Sequence, residues 1–333
     1  MALLLTENME NMKDAGTTVF EAVKDHLKLA GDNQIWLVFG IVTLLLLAPW
    51  GADIWLQGNC LLMIVQGISV LVFPQWWGKQ FVEGDGDSLQ KYELCCMGAM
   101  AITQGLTYFL LQNSGDKTVK SSLLWAMTLE FAAVLPLDLN YYLNPGKDAY
   151  KLKQEMIAVD GHFAVLWVLV SAFYALSEQD WGGYTEVFSM KRNIHLRIDF
   201  MINLTNGLLA FVLPTMTCKF QVKQKLTTVH VYLARVMGIG FIQMGITSGR
   251  ASNFLKEGDK KLLLFSHALC YINLLVIMVL FQLFTSTFTL YHALYGIPMV
   301  VINMSNALFG CDAQFCLEDV RSRARRFFKL KSE

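Results

Sequence analysis

Charge is scarce in this sequence. Charged residues make up 16% of its 333 residues and sum to a net charge of zero, against ~25% in ordinary soluble domains. Without a basic stripe, nucleic acid is not an expected partner. Cysteine builds no framework either. Cys60, Cys95, Cys96, Cys218, Cys270, Cys311 and Cys316 are odd in number, fall mostly in apolar runs and form no CxxC pair. A disulfide scaffold and a structural zinc site are both disfavoured. The histidines are scattered without ligand spacing. GxSxG, HExxH, a phosphate-cradling glycine loop and an Asp-rich metal motif are all missing. The expectation is a protein with no cofactor, no metal and no enzymatic activity. The opening Met-Ala-Leu-Leu-Leu turns acidic at Glu7 and Glu10, too short an apolar run for a cleaved signal peptide.

Apolar residues, in contrast, reach 54% and the mean hydropathy is +0.41, which points to lipid as the solvent. A spanning helix needs roughly 20 mostly apolar residues. Eight runs qualify: Ile54–Phe73, Tyr92–Leu111, Ser121–Leu137, Ala158–Leu176, Leu196–Leu213, Val229–Ser248, Leu262–Phe284 and Thr289–Phe309. A ninth, Ile35–Trp50, would make ~24 Å of helix at ~1.5 Å per residue; it either just spans or dips in and returns at Pro49-Trp50-Gly51. Ahead of it, Val19, Phe20, Val23 and Leu27 fall at helical spacing opposite Glu21, Lys24, Asp25 and Lys28, the pattern of an amphipathic helix lying on a surface. Leu139–Met156, rich in tyrosine, reads as a long loop.

The spans repeat. Asp53-Ile-Trp-Leu, Gln66-Gly67 and Val72-Phe73-Pro74 recur as Asn193-Ile-His-Leu, Asn206-Gly207 and Val212-Leu213-Pro214 at a constant offset of 140 residues. The same offset aligns Tyr92 with Tyr232, Met97-Gly98 with Met237-Gly238 and Gly105 with Gly245. Gly115-Asp116-Lys117 matches Gly258-Asp259-Lys260 at an offset of 143. An offset held across helices and loops signals duplication. Four helices per copy is an even number, so both copies enter and leave on one side as parallel repeats. The predicted fold is an all-α integral membrane protein of two tandem parallel four-helix repeats, with eight spans or nine. An amphipathic segment occupies residues 1–34 and the short apolar run 35–51. The repeats cover 52–190 and 191–310, and a basic tail covers 311–333.

Each copy resembles the small four-helix membrane protein family induced by the p53 tumour suppressor. The shared features are Val72-Phe73-Pro74, Tyr92 with Met97-Gly98, Gly115-Asp116-Lys117 and Glu130-Phe131, with counterparts at Val212-Leu213-Pro214, Tyr232 with Met237-Gly238 and Gly258-Asp259-Lys260. The resemblance covers about residues 53–310, twice over a single-unit relative. It implies residence in intracellular membranes and supplies no chemistry.

Ionisable groups inside lipid are functional candidates by default. Glu130 lies about seven residues from the lumenal end of its helix and His162 about five residues into the next, depths that match to within ~3–5 Å at ~1.5 Å per residue, so the pair could hold or relay a proton. Gln66, Gln104, Glu130, His162, Asn206, Gln243, Asn273 and His292 form a polar seam running through both copies. Such side chains more often act as interhelical glue worth ~1 kcal/mol or less each. Asp199 and Arg235 lie near opposite ends of neighbouring runs, where each could snorkel to an interface. Arg235 is also a candidate contact for a lipid headgroup or partner. In the tail, Val320, Ala324, Phe327 and Phe328 alternate with Arg321, Arg323, Arg325 and Arg326. That pattern suits either an anionic cytosolic leaflet or the protein's own loops. Cys311 and Cys316, just past the last span, are palmitoylation candidates.

The basic tail places itself in the cytosol by the positive-inside rule. Lys329 and Lys331 stand fifth and third from its end and resemble a dilysine signal for retrieval to the endoplasmic reticulum. The N-x-S/T matches at Asn203 and Asn303 fall inside apolar spans. The expected function is that of a non-catalytic subunit of a larger endoplasmic reticulum membrane complex, with a lipid-handling assembly as host. Membrane lipids and another integral or membrane-associated protein are the expected partners. The alternative is a carrier or scramblase working between the two copies.

Overall fold

The structure is a computed structural model that describes residues 42–43, 45–84, 86–144, 151–178 and 190–329. The chain divides into two compact units, Met1–Leu46 and Leu47–Glu333. The amphipathic segment 1–34 and most of the short run 35–51 lie outside the described residues. Within the second unit, Ala48–Trp50 forms a 3-10 turn and Gly51 adopts φ 108° ahead of the first long helix.

That helix, α1, covers Ala52–Val72 and is followed by a short α2 at Pro74–Phe81. Proline disfavours helical geometry in the residue before it, and Phe73 turns out to φ −126°, ψ 54°. The two-residue strand β1 (Val82–Glu83) leads to α3 (Ser88–Leu111) and α4 (Lys117–Leu143). β2 (Lys151–Leu152) pairs antiparallel with β1, Val82 opposite Leu152, and precedes α5 (Gln154–Glu178). Next come α6 (Met190–Val212) and the short α7 (Pro214–Lys219), broken from it at Leu213 with φ −121°, ψ 46°. α8 (Thr228–Ala251) and α9 (Glu257–Phe284) follow. A single π-helical turn at His292–Gly296 opens α10 (Ile297–Cys311), and α11 (Ala313–Lys329) ends the described chain. An isolated antiparallel bridge joins Val222 to Phe288.

Among the described residues, seven helices are long and apolar enough to cross a membrane: α1, α3, α4, α5, α8, α9 and the stretch His292–Cys311. The expected span at Leu196–Leu213 corresponds to α6. That helix has the length but not the hydropathy, because Arg197, Asp199, Asn203 and Asn206 dilute it. Helix enters the expected loop Leu139–Met156 from both sides, α4 ending at Leu143 and α5 starting at Gln154. α4 runs through Pro136 to Leu143, and its last turns bury Asp138 and Tyr141. Tyr141 packs edge-on against Tyr232 of α8, with ring centroids 5.1 Å apart. Burial against a neighbouring helix here outweighs the polar composition that reads as a loop.

The helices alternate in direction, so the bundle has a Gly115 end and an Asp87 end. Central positions go to α3, α9 and α8, whose membrane-length windows are 72%, 67% and 61% buried; α5 and α10 lie outside at 33% and 28%. Packing is reciprocal across the chain. α3 lies against α9 and α8 against α4, while α1 pairs with α3, α6 with α8, α4 with α5 and α9 with α10. The tightest approaches use glycine. A side-chain carbon on Gly67 would sit 2.6 Å from Gly98 O, and one on Gly207 would sit 2.7 Å from Gly238 O. On the flank, Trp55 and Trp167 pack at 5.5 Å, and both indoles are satisfied: Trp55 Nε1 donates to Ser171 Oγ and Trp167 Nε1 to Asn59 Oδ1.

Candidate functional site

Polar side chains gather in three places. The deepest is centred on Asp199, which is 1% exposed and does not snorkel to an interface as its position in the sequence suggested. Helix α6 turns Asp199 inward toward α8 and α9, where Ser248 Oγ and His267 Nδ1 approach Asp199 Oδ2 at 2.5 and 2.7 Å. Tyr271 Oη lies 2.9 Å from Asp199 Oδ1 and 2.8 Å from Asn203 Oδ1. One phenol proton cannot serve two acceptors, and Asn203 Nδ2 is buried without an acceptor. Turning the Asn203 amide over removes the conflict at Tyr271: Nδ2 donates to Tyr271, which donates to Asp199. Ser248 and His267 Nδ1 converge as donors on the same carboxylate oxygen. His267 Nδ1 therefore carries a proton and cannot take one from Ser248, so this is not the geometry of a serine nucleophile. It is a closed knot that holds three helices.

The second gathering lies near the Asp87 end. Tyr232 Oη is 3.0 Å from Asp138 Oδ1 and 3.4 Å from Asp160 Oδ2, joining α8 to α4 and α5. Its single proton serves the nearer Asp138, whose other oxygen is buried without a partner. Arg235 does not reach for solvent. It is half-buried against Tyr141 of α4.

The third is a latch at the Asp87 end itself. Thr227 caps α8, and its backbone N–H donates to His230 Nδ1 at 3.1 Å. Nδ1 is thus an acceptor, Nε2 carries the proton, and Nε2 points to Asp87 Oδ1 at 3.1 Å. Gln224 Nε2 donates to Asp87 Oδ2 at 2.9 Å, and Gln90 N donates to Oδ1 at 2.9 Å. Burial alone would lift the Asp87 carboxyl; the hydrogen bonds from His230, Gln90 and Gln224 prevail and hold it below the usual carboxylate range. A depressed folded value contributes stability that is complete above the unfolded value of about 3.9 and is lost as pH falls through the folded value. Asp87→Asn is therefore expected to flatten the acid limb of stability below about pH 5. Thermal unfolding of the detergent-solubilised protein across that range measures it. An acid limb identical to the parent's would remove Asp87 from the pH dependence.

The residues expected to form one seam are dispersed. Gln104 Nε2 donates to Glu130 Oε1 at 2.7 Å. His162 is exposed and bonds Ala158 O, so the expected Glu130–His162 pair does not form. The depths differ because α4 continues to Leu143 and α5 starts at Gln154, both beyond the apolar runs. His292 is buried in the π-helical turn, 2.8 Å from Gln282 Oε1 and 3.4 Å from Tyr92 Oη. Gln243 is buried beside Tyr108. Gln66, Asn206 and Asn273 are half-buried and make no side-chain hydrogen bond among the described residues.

Cys311 and Cys316 are fully buried, with Cys316 Sγ donating to Cys311 O at 3.1 Å. Burial at the α10–α11 junction withdraws both thiols from the lipid modification expected of them. Arg321 is exposed on α11. The side chains of Arg323, Arg325, Arg326 and Lys329, and all of Lys331, lie outside the described residues. Among the described residues no three His, Cys, Asp or Glu side chains converge as metal ligands.

Sequence reasoning missed His267, Ser248, Tyr271, Asp138, Asp160, and Asp87 with His230. One signal was available for the knot. Arg192, His195, Asp199, Asn203 and Asn206 recur at steps of three and four along one face of α6, the stripe by which an apolar helix turns a polar face inward.

No curated protein and no solved structure matches this chain. A family model does, over residues 58–312, which takes in every described helix from α3 to α10 and most of α1. The chain belongs to the family of that model, which is described as a domain of unknown function (DUF8292).

Proposed function

We propose that this protein is a duplicated four-helix membrane unit serving as a non-catalytic scaffold subunit of a larger endoplasmic reticulum complex. Paired geometry supports the duplication. The breaks at Phe73-Pro74 and Leu213-Pro214 share backbone angles. The glycine approaches Gly67–Gly98 and Gly207–Gly238 repeat at the 140 offset, and so do the bridges made by Val82 and Val222. On this reading α6 is an eighth span, its polar face covered by α8 and α9. The Gly115 end and the basic α11 face the cytosol.

The observation that carries the scaffold reading is the reciprocal packing of the central helices. A carrier working between the two copies needs a passage between them. Here side chains fill that interface. Met100 Cε lies 2.6 Å from where a side-chain carbon on Gly240 would begin, and Thr107 Oγ1 bonds Ser266 Oγ at 2.8 Å. At the Gly115 end, Ser114 Oγ donates to Asp259 Oδ2 at 2.5 Å, and Asp116 Oδ2 accepts from Leu255 N at 2.7 Å. The two Gly-Asp-Lys turns are thus stitched to each other. A body interlocked at its centre and at both ends suits a fixed platform for a neighbouring membrane protein. A lipid-handling machine is the host we favour.

Purification of the endogenously tagged protein in mild detergent tests this. The expected result is a stoichiometric membrane-protein partner, quantified by mass spectrometry. Protein that purifies alone and moves phospholipid across liposome membranes would replace the scaffold with a carrier.

A further inference from the structure

Two adjoining clefts open at the Asp87 end, of about 410 Å³ and 240 Å³, and they share Gly86 and Lys91 as walls. The smaller lies between α2 and the first turn of α3, lined by Pro74, Gly78, Lys79, Gly86, Gln90 and Lys91 among others. We infer that this smaller cleft binds a phosphate group, most naturally that of a phospholipid headgroup.

Three independent features meet there. The first is a donor with nothing to donate to. Gln90 is 3% exposed, and its Nε2 is buried without an acceptor. Reversing the amide does not help, because it would leave a buried carbonyl oxygen with no donor in the same place. Nε2 lies 3.1 Å from where a side-chain carbon on Gly78 would begin, so glycine at position 78 puts no side chain between the donor and the cleft. A buried amide hydrogen without a partner is costly in a native structure, and an anion oxygen would complete it.

The second feature is charge. Lys91 lines both clefts, and no ion pair or side-chain hydrogen bond of its ammonium is present among the described residues. Lys79 lines the smaller cleft and Lys223 the larger. Asp87, which lines the larger cleft, already caps the first turn of α3 by accepting from Gln90 N and is turned toward His230 and Gln224.

The third is position. The cleft sits where α1 leaves the apolar zone, beside Trp76 and Trp77 on α2. Trp77 stacks on Phe81 and donates Nε1 to Ser69 Oγ, while Trp76 stays 40% exposed. Tryptophan and lysine at the end of a spanning helix mark the headgroup level of a bilayer. Pro74 and Leu94 supply an apolar wall of the kind that suits a glycerol backbone. This inference stands apart from the scaffold reading and survives its failure.

The test uses the full chain in detergent, titrated with dihexanoyl phosphatidic acid and separately with inorganic phosphate. Binding is followed by calorimetry and by native mass spectrometry. Saturable binding of the short-chain lipid is expected. Lys91→Gln should weaken it by about tenfold, the value of one charge-assisted contact. Gly78→Val should abolish it by filling the space before Gln90, and Lys117→Gln at the opposite end should leave it unchanged. Inorganic phosphate binding with equal affinity and equal sensitivity to Lys91→Gln would identify a free anion as the ligand of the same site. Absence of saturable binding by either probe, or binding indifferent to both Lys91→Gln and Gly78→Val in variants that elute as the parent does, overturns the inference.

Discussion

Asp199→Ala is expected to destabilise the protein by about 3–5 kcal/mol, the usual consequence of removing one member of a buried charged network. Its carboxylate receives Ser248, His267 and Tyr271 from two other helices, and of the three Tyr271 also has Asn203 Oδ1 in reach at 2.8 Å. The alanine would leave the buried donors of Ser248 and His267 without their carboxylate acceptor. Asp199→Asn should cost less, since one amide oxygen still accepts, but its NH₂ group would face donors. Asp53→Ala is the comparison. Asp53 pairs with Lys120 at 2.5 Å but is 60% exposed, and an exposed pair is worth under about 1 kcal/mol. Melting midpoints in detergent distinguish the cases. Equal small shifts for Asp199→Ala and Asp53→Ala would mean that the knot contributes no more than a surface contact.

Comparable losses are expected at the glycine crossings. Inserting a methylene into a packed core usually costs about 1–3 kcal/mol. Gly67→Ala and Gly207→Ala should reach or exceed the top of that range, because the new carbon would meet backbone rather than a side chain that can move. The atoms in the way are Gly98 O and Ile102 N in one case, and Gly238 O and Ile242 N in the other. The helices would have to separate, and the loss would extend along the whole α1–α3 or α6–α8 contact. Gly161→Ala makes the control. Its nearest neighbour would be Asp138 at 3.9 Å, ordinary contact, so helix propensity should prevail and stabilise by up to about 1 kcal/mol. If Gly67→Ala and Gly207→Ala unfold at the parent temperature, the helices have slack that the crossing geometry denies. If only one of the pair is damaging, the two crossings are not equivalent and the duplication loses its strongest support.

Much of the helical layout was legible because apolar runs of spanning length have few alternatives. The predicted starts and ends fall inside the observed helices nearly everywhere, and the errors share one cause. Leu139–Met156 looks like loop because residues such as Tyr141 and Tyr142 are polar, yet α4 runs on to Leu143 and carries Tyr141 into contact with α8. That extension also undid the depth argument joining Glu130 to His162. The glycines of the 140-residue repeat were visible as repeated letters. Their function as crossing points needed coordinates, because no spacing within one helix reveals which helix it meets.

The sequence alone determined that apolar stretches of membrane length build this chain, where its helices begin and break, and that the pattern of one half recurs in the other. Those properties follow from hydropathy, proline geometry and local spacing, which act over a few residues. Tertiary structure alone decided that α3 crosses to α9 and α8 to α4, that Asp199 turns inward to His267, and that Gln90 is left holding an unused hydrogen beside Lys91. Each depends on which faces meet across long separations in the chain. Between helices that are mostly apolar, that choice rests on close packing and a few buried polar contacts.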